Sequence, residues 1–188
     1  MRAGKVLYVG ISDAAAWVVA RANTIAELRG WTPFVGLQVP YSLVNRQIER
    51  ELLPTAWALE MSVTAWSPLA SGLLSGKYVD GDQASGRLGA DTISERDQAI
   101  AHETQAVARE LGASSAQVAL AWLRAQSPLI HPIIGVRRVE QLTDNLAAVD
   151  LELRHRGPRS PRCRQRDRTR VPDGNDPGHP RLRLRHRR

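Results

Sequence analysis

Apolar positions along the chain change their period repeatedly, and the changes mark alternating strands and helices. Residues 6–11, Val6-Leu7-Tyr8-Val9-Gly10-Ile11, form a continuous apolar run that stops at Ser12-Asp13, which predicts a parallel strand covered on both faces. The alanine-rich stretch 14–29 holds few breakers and stops at Gly30, as a helix does. Residues 34–39 read as a second strand, closed by Pro40-Tyr41-Ser42. In 46–59, Ile48, Leu52 and Ala56 give a helix an inward face, and Pro54 must kink or restart it. A third strand at 62–66 ends at Ser67-Pro68, because proline supplies no ladder donor.

Residues 80–93 are rich in glycine and aspartate and lack an apolar period, which predicts a mobile surface loop. Ser94-Glu95-Arg96-Asp97 and Ser114-Ser115-Ala116-Gln117 each place a capping hydroxyl three residues before a side chain able to reach back, so two helices start there. The second runs into Pro128. Residues 129–136 predict a fourth strand, and Val139, Leu142, Leu146 and Val149 give a last helix one apolar stripe. Four alternations of strand and helix argue an α/β fold with parallel strands and right-handed crossovers.

Charge divides the chain in two. Its 188 residues carry a net +7, yet residues 154–188 hold 13 arginines against Asp167, Asp173 and Asp176, a local +10. Residues 1–153 keep 13 basic and 16 acidic side chains, a balance of −3. The basic tail has almost no aliphatic residues, predicts disorder, and lacks the interleaved aromatics of a base-stacking arm, so a nucleic-acid partner is disfavoured. Its composition fits a shifted reading frame of a GC-rich gene better than a selected arm. Cys163, the single cysteine, excludes an intrachain disulfide and a cysteine-based metal site. No run approaches a membrane span and residues 1–13 lack the apolar core of a secretory signal, so a cytoplasmic location is expected.

The stretch Trp66 to Tyr78 carries the candidate chemistry. Ser71, Gly72 and Gly76 leave backbone N–H groups uncovered for a pyrophosphate, and Trp66 at the strand end is a flat surface for a ring, although a Ser-Pro turn followed by glycine is more often plain connection. The longer pattern W-S-P-L-A-x-G-L-L-x-G-K-Y resembles the nicotinamide-binding strand and loop of the aldo-keto reductases. Gly10-Ile11-Ser12-Asp13, Gln38-Val39-Pro40-Tyr41-Ser42-Leu43, and Ile133-Ile134-Gly135-Val136-Arg137 with Gln141 and Asn145 follow the order and approximate spacing of that family's C-terminal half.

The resemblance covers residues 4–153 and implies a partial (β/α)8 TIM barrel, strands five to eight with their helices, since a whole barrel needs about 250 residues. It implies an NADP(H) site in which Ser12, Asp13 and Gln38 hold the nicotinamide carboxamide and Trp66 stacks on the ring. Gln38 can donate and accept, whereas ionised Asp13, where the family often has asparagine, only accepts. Ser67, Leu69, Ser71, Gly72 and Leu74 would wrap the pyrophosphate, with Lys77 adding charge or remaining a solvated loop lysine. Gly135, Val136 and Arg137 would meet the adenosine phosphate, and Gln141 and Asn145 would face adenine. Arg137 offers a fork of donors to a ribose 2′-phosphate, favouring NADPH; its bland alternative is an ion pair with Glu140.

The family's tyrosine, lysine, aspartate and histidine lie in the first half of the barrel, so no catalytic residue is assigned here and this chain alone is expected to be inactive. Tyr8, Tyr41 and Tyr78 lie outside the matching motif, and His102 and His131 read as structural or surface residues. The expected function is NADPH-dependent reduction of a small aldehyde or ketone by the parent enzyme; the other reading is a non-catalytic nucleotide-binding module like the potassium-channel β subunits. Half a barrel would leave two strand edges unpaired and an apolar inner face open, which predicts aggregation, a molten state or pairing with another half barrel.

Overall fold

The computed structural model describes residues 1, 3–78 and 93–153. Most of the loop expected at 80–93, and all of the tail at 154–188, lie outside the described residues. Among the described residues of the unit Met1–Leu153, four strands and five α-helices follow in the order β1 (Gly10–Ser12), α1 (Ala16–Leu28), β2 (Gly36–Pro40), α2 (Leu52–Ala58), β3 (Ser62–Trp66), α3 (Glu95–Leu111), α4 (Ser115–Gln126), β4 (Ile130–Pro132) and α5 (Val139–Leu146). The strands are all parallel and lie in the order β1-β2-β3-β4. Sequential parallel neighbours joined by helices are consistent with part of a (β/α)8 barrel.

Local chemistry accounts for the helix ends. After α1 the Trp31 N–H returns to the Ala26 carbonyl at 2.7 Å, with Gly30 at φ +61, a reversal that suits glycine. Pro54 restarts the second helical segment: a 3₁₀ turn at Gln47–Glu49 gives way to α2, and Pro54 is the third residue of α2, where its missing N–H has no intrahelical partner to lose. Ser94 accepts from the Asp97 N–H, and Ser114 and Gln117 form a reciprocal capping box.

One face of the sheet is the core. Leu37, Val39, Val63, Ala65 and Ile130 pack under the helices against Val19, Leu53, Ala56 and Leu123. The alternate residues turn to the other face and form rows fixed by register: Gly10, Gly36 and Ser62 in one, Ser12, Gln38, Thr64 and His131 in the next. These two rows are small and polar, not the apolar surface expected of a half barrel, and Pro40 and Trp66 add apolar side chains to the same face at the strand ends.

Three further expectations are corrected. β1 begins at Gly10, not at Val6, and Val6, Leu7 and Tyr8 are exposed coil. β4 spans only Ile130–Pro132 of the expected 129–136. Both are edge strands, and apolar residues extend a strand only where a neighbour accepts their backbone groups. The stripe of the last helix forms in sequence, but Val139 is 74% exposed and Leu142, Leu146 and Val149 are exposed too. Among the described residues no helix is long and apolar enough to cross a membrane.

Candidate functional site

The C-terminal ends of β1, β2 and β3 converge on four of the residues singled out in the sequence. Ser12 closes β1 and Gln38 lies beside it in register. The Ser12 Oγ donates to the Gln38 carbonyl at 3.0 Å, and the Asp13 N–H donates to the same oxygen at 3.2 Å. This double contact turns the chain at Asp13, which sits at φ +49. The turn aims its carboxylate across β2, where the Trp66 Nε1–H donates to Asp13 Oδ1 at 3.2 Å. Trp66, the last residue of β3, is thus held by its edge while the side chain stays 38% exposed. The side-chain amide of Gln38 is exposed and makes no hydrogen bond among the described residues.

The Trp66–Asp13 bond was not legible in the sequence, because it joins positions 53 apart and depends on the left-handed turn. Thr64, which the sequence does not single out, and His131, which it reads as a structural or surface residue, complete the polar row with Ser12 and Gln38. The signal available was period-two alternation through 36–38 and 62–66, which separates Gln38, Ser62 and Thr64 from their apolar neighbours.

After β3 the backbone is strained. Ser67, Ala70 and Ser71 lie at φ +54, +48 and +57, and Gly72 and Gly76 are at +97 and +89. A 3₁₀ segment, Ala70–Ser75, packs Leu73 and Leu74 into the core and leaves Ser71 exposed, with Ser67, Leu69 and Gly72 half-buried. The Gly72 and Leu74 N–H groups both donate to the Leu69 carbonyl, at 2.9 and 3.2 Å, so the uncovered donor expected at Gly72 is corrected: the 3₁₀ turn consumes it, and neither N–H faces a pyrophosphate unpaired. A Cβ on Gly76 would stand 3.3 Å from the Ser115 Oγ, so glycine lets this loop pass close to the start of α4. Lys77 is exposed at the rim of an open cleft of about 540 Å³ that Arg109, Ser114 and Ser115 also line.

Beyond β4, Gly135, Val136 and Arg137 are exposed, and Arg137 makes no ion pair among the described residues, so the pairing with Glu140 does not form. The Arg137 N–H donates to Gln141 Oε1 at 3.0 Å, which commits one end of Gln141 to holding the turn. Asn145 is only 7% exposed, and its amide has no hydrogen-bond partner among the described residues. Its neighbour Asp144 anchors α5 to the α4 cap, accepting from the Ser114 Oγ at 2.8 Å and the Gln117 Nε2 at 2.7 Å.

Tyr41 is 1% exposed and donates its hydroxyl to Glu49 Oε1 at 2.7 Å; Arg46 also binds Glu49 and lies over the Trp122 ring at 5.1 Å. These contacts make a partly buried cluster of Tyr41, Arg46, Glu49 and Trp122. No group of three or more His, Cys, Asp or Glu side chains with metal-binding geometry exists among the described residues.

The model of the aldo/keto reductase family matches residues 1–156. The chain belongs to the aldo/keto reductase family. Similar curated proteins include an uncharacterized oxidoreductase, YrpG, of Bacillus subtilis, 40% identical over 153 residues that cover 81% of this chain and 47% of the relative. The aryl-alcohol dehydrogenase [NADP(+)] of Phanerodontia chrysosporium is 35% identical over 80% of this chain and 41% of its own length. The norsolorinic acid reductase stcV of Emericella nidulans is 36% identical over 80% of this chain and 38% of its own. The chain spans less than half the length of these relatives.

Proposed function

We propose that this chain is the cofactor-binding half of an NADP-dependent aldo-keto reductase, strands five to eight of the barrel, whose parent activity interconverts a small carbonyl compound and its alcohol. The observation that carries the reading is the bonded cluster of Ser12, Asp13, Gln38 and Trp66 at the strand ends. NADPH, when bound, supplies the hydride. The residues present suit it. Gln38 has an amide with unused donors and acceptor, the second oxygen of Asp13 can accept, and the indole of Trp66 is clamped through its nitrogen with the ring accessible. Asn145, 7% exposed and without a hydrogen-bond partner among the described residues, keeps amide atoms that reach solvent and suit an adenine edge. Arg137, without an ion pair, keeps its guanidinium for a phosphate.

These residues bind and orient; none of them is placed to protonate a developing alkoxide. The relatives with named activities are a dehydrogenase and a reductase, which favours the enzyme over a non-catalytic module.

Titration of the intrinsic fluorescence of the 188-residue chain with NADPH and NADH tests the proposal, with Trp66→Phe identifying the reporter among the 5 tryptophans. Saturable quenching is expected, tighter for NADPH, with that preference reduced at least about tenfold in Arg137→Ala. No saturable response to either nucleotide would refute the site.

A further inference from the structure

We infer that two copies of this chain close an eight-stranded parallel barrel, β4 of each copy pairing with β1 of the other across two equivalent seams. The inference rests on the barrel reading of the fold and not on the cofactor reading.

Both edges are built for it. The Leu129 carbonyl accepts from Val63 and the Ile133 N–H donates to Ala65, so these residues face β3; the carbonyls of Ile130 and Pro132 and the backbone groups of Ile134 turn outward, while the Ile130 N–H donates to the Ser127 carbonyl at 3.1 Å. On β1 the Val9 carbonyl and the Asp13 N–H face β2, so Gly10 and Ser12 face outward.

Barrel geometry then fixes the register. An eight-stranded βα barrel closes with a shear of about eight residues, and a twofold axis assigns about four to each half. One row of the sheet runs Ile11, Leu37, Val63, Ile130. Its next member is therefore Leu7 or Ala15 of the second copy. Ala15 is the N-cap of α1, and its reciprocal pairing would set Ile11 against Gln126 inside α4. Pairing Ile130 with Leu7, and hence Ile134 with Ile11, uses only extended segments. It also satisfies the alternation, since Ile130 and Ile134 offer outward groups to residues on either side of Leu7 and Ile11. Pro132 forgoes one donor, which an edge strand tolerates.

This register recruits the segments whose apolar pattern reads as strand but which stand outside the sheet of a single chain, residues 6–9 and 133–136. It also accounts for α5. In a βα barrel each helix covers the pair formed by its own strand and the next, and α5 follows β4, which has no next strand among the described residues. The exposed stripe of Val139, Leu142, Leu146 and Val149 would lie over the seam, with Leu7 of the second copy, 78% exposed in the single chain, on the same helix-facing side as Ile11.

Sedimentation equilibrium of the 188-residue chain is expected to give a monomer–dimer equilibrium. Leu7→Asp and Leu146→Asp should each raise the dimer dissociation constant at least about 100-fold, because each change strikes both seams. Leu111→Asp, an exposed leucine on α3, should leave it unchanged. Hydrogen exchange should show the amides of Tyr8, Gly10, Ser12 and Ile134 slowed in the dimer, and this pattern decides the matter in the unaltered chain if a variant loses its far-ultraviolet circular dichroism. A chain that stays monomeric, forms open assemblies larger than two, dimerises despite both aspartates, or associates only with the N-terminal half of the Bacillus relative overturns the inference.

Discussion

Asn23 controls where β2 begins, and replacing it with alanine tests how the strand carrying Gln38 is held. The side chain is 2% exposed on α1 and binds both backbone groups of one residue: Nδ2 donates to the Phe34 carbonyl at 3.0 Å and Oδ1 accepts the Phe34 N–H at 2.9 Å. Nδ2 also approaches the Met61 sulfur at 3.7 Å. Phe34 stands two residues ahead of β2, so the asparagine acts as a short surrogate strand. Its loss removes two hydrogen bonds worth about 1 kcal/mol each, and more where the groups left behind stay dry, for about 2–4 kcal/mol. Alanine returns about 0.6 kcal/mol through helix propensity. The net loss of about 2–3 kcal/mol, at a urea slope of about 2 kcal/mol/M, lowers the unfolding midpoint by about 1–1.5 M. Measurements belong at one protein concentration, because association adds stability. Thr24→Ala is the control: that hydroxyl is exposed, bonds only the Ala20 carbonyl of its own helix, and should shift stability by less than about 0.5 kcal/mol. A midpoint for Asn23→Ala indistinguishable from that of the control would refute the argument.

Two other substitutions probe the supports of the site. Ser114→Ala removes the α4 cap and the bond to Asp144, and should cost about 1–2 kcal/mol, read as a lowered midpoint in thermal unfolding. Gly10→Ala places a Cβ 2.9 Å from the Gly36 carbonyl oxygen, so β1 must move from β2; about 1–3 kcal/mol of stability and much of the NADPH response of Trp66 should be lost together.

The sequence pattern was informative where one chain supplies both neighbours and misleading where it does not. β3 spans Ser62–Trp66 as expected because it is paired on both sides and bounded by Ser67-Pro68. The caps at Ser94 and Ser114 were readable because they depend on residues three apart. β1 and β4 were read too long, since hydrophobicity reports a preference for burial and not the presence of a partner strand. The same reasoning hid the polar face of the sheet: runs judged by mean apolar character conceal that Gln38, Thr64 and His131 share one side. At the candidate site, residue types are read from motifs that resemble the family's. Their states are not, because the Asp13–Trp66 bond, the commitment of Gln141 to the Arg137 N–H and the burial of Asn145 arise only from tertiary placement.

Backbone strain independently points to the same end of the sheet. Among the described residues five non-glycine positions have positive φ, and four of them, Asp13, Ser67, Ala70 and Ser71, follow the C-terminal ends of β1 and β3; Glu60 alone precedes a strand. Each such conformation costs on the order of 1 kcal/mol or more, and it persists only where surrounding contacts enforce it. Those contacts are visible: the Gln38 carbonyl holds Asp13, the Ser67 carbonyl holds the Ala70 N–H, and the Leu69 carbonyl holds the N–H groups of Gly72 and Leu74. A connection whose only task was to join a strand to a helix could relieve this strain with glycine, as the chain does at Gly30 and Gly112. At Asp13 the left-handed conformation keeps a carboxylate in contact with the Trp66 indole N–H across the strand ends, so the strain there is tied to a contact that glycine could not make.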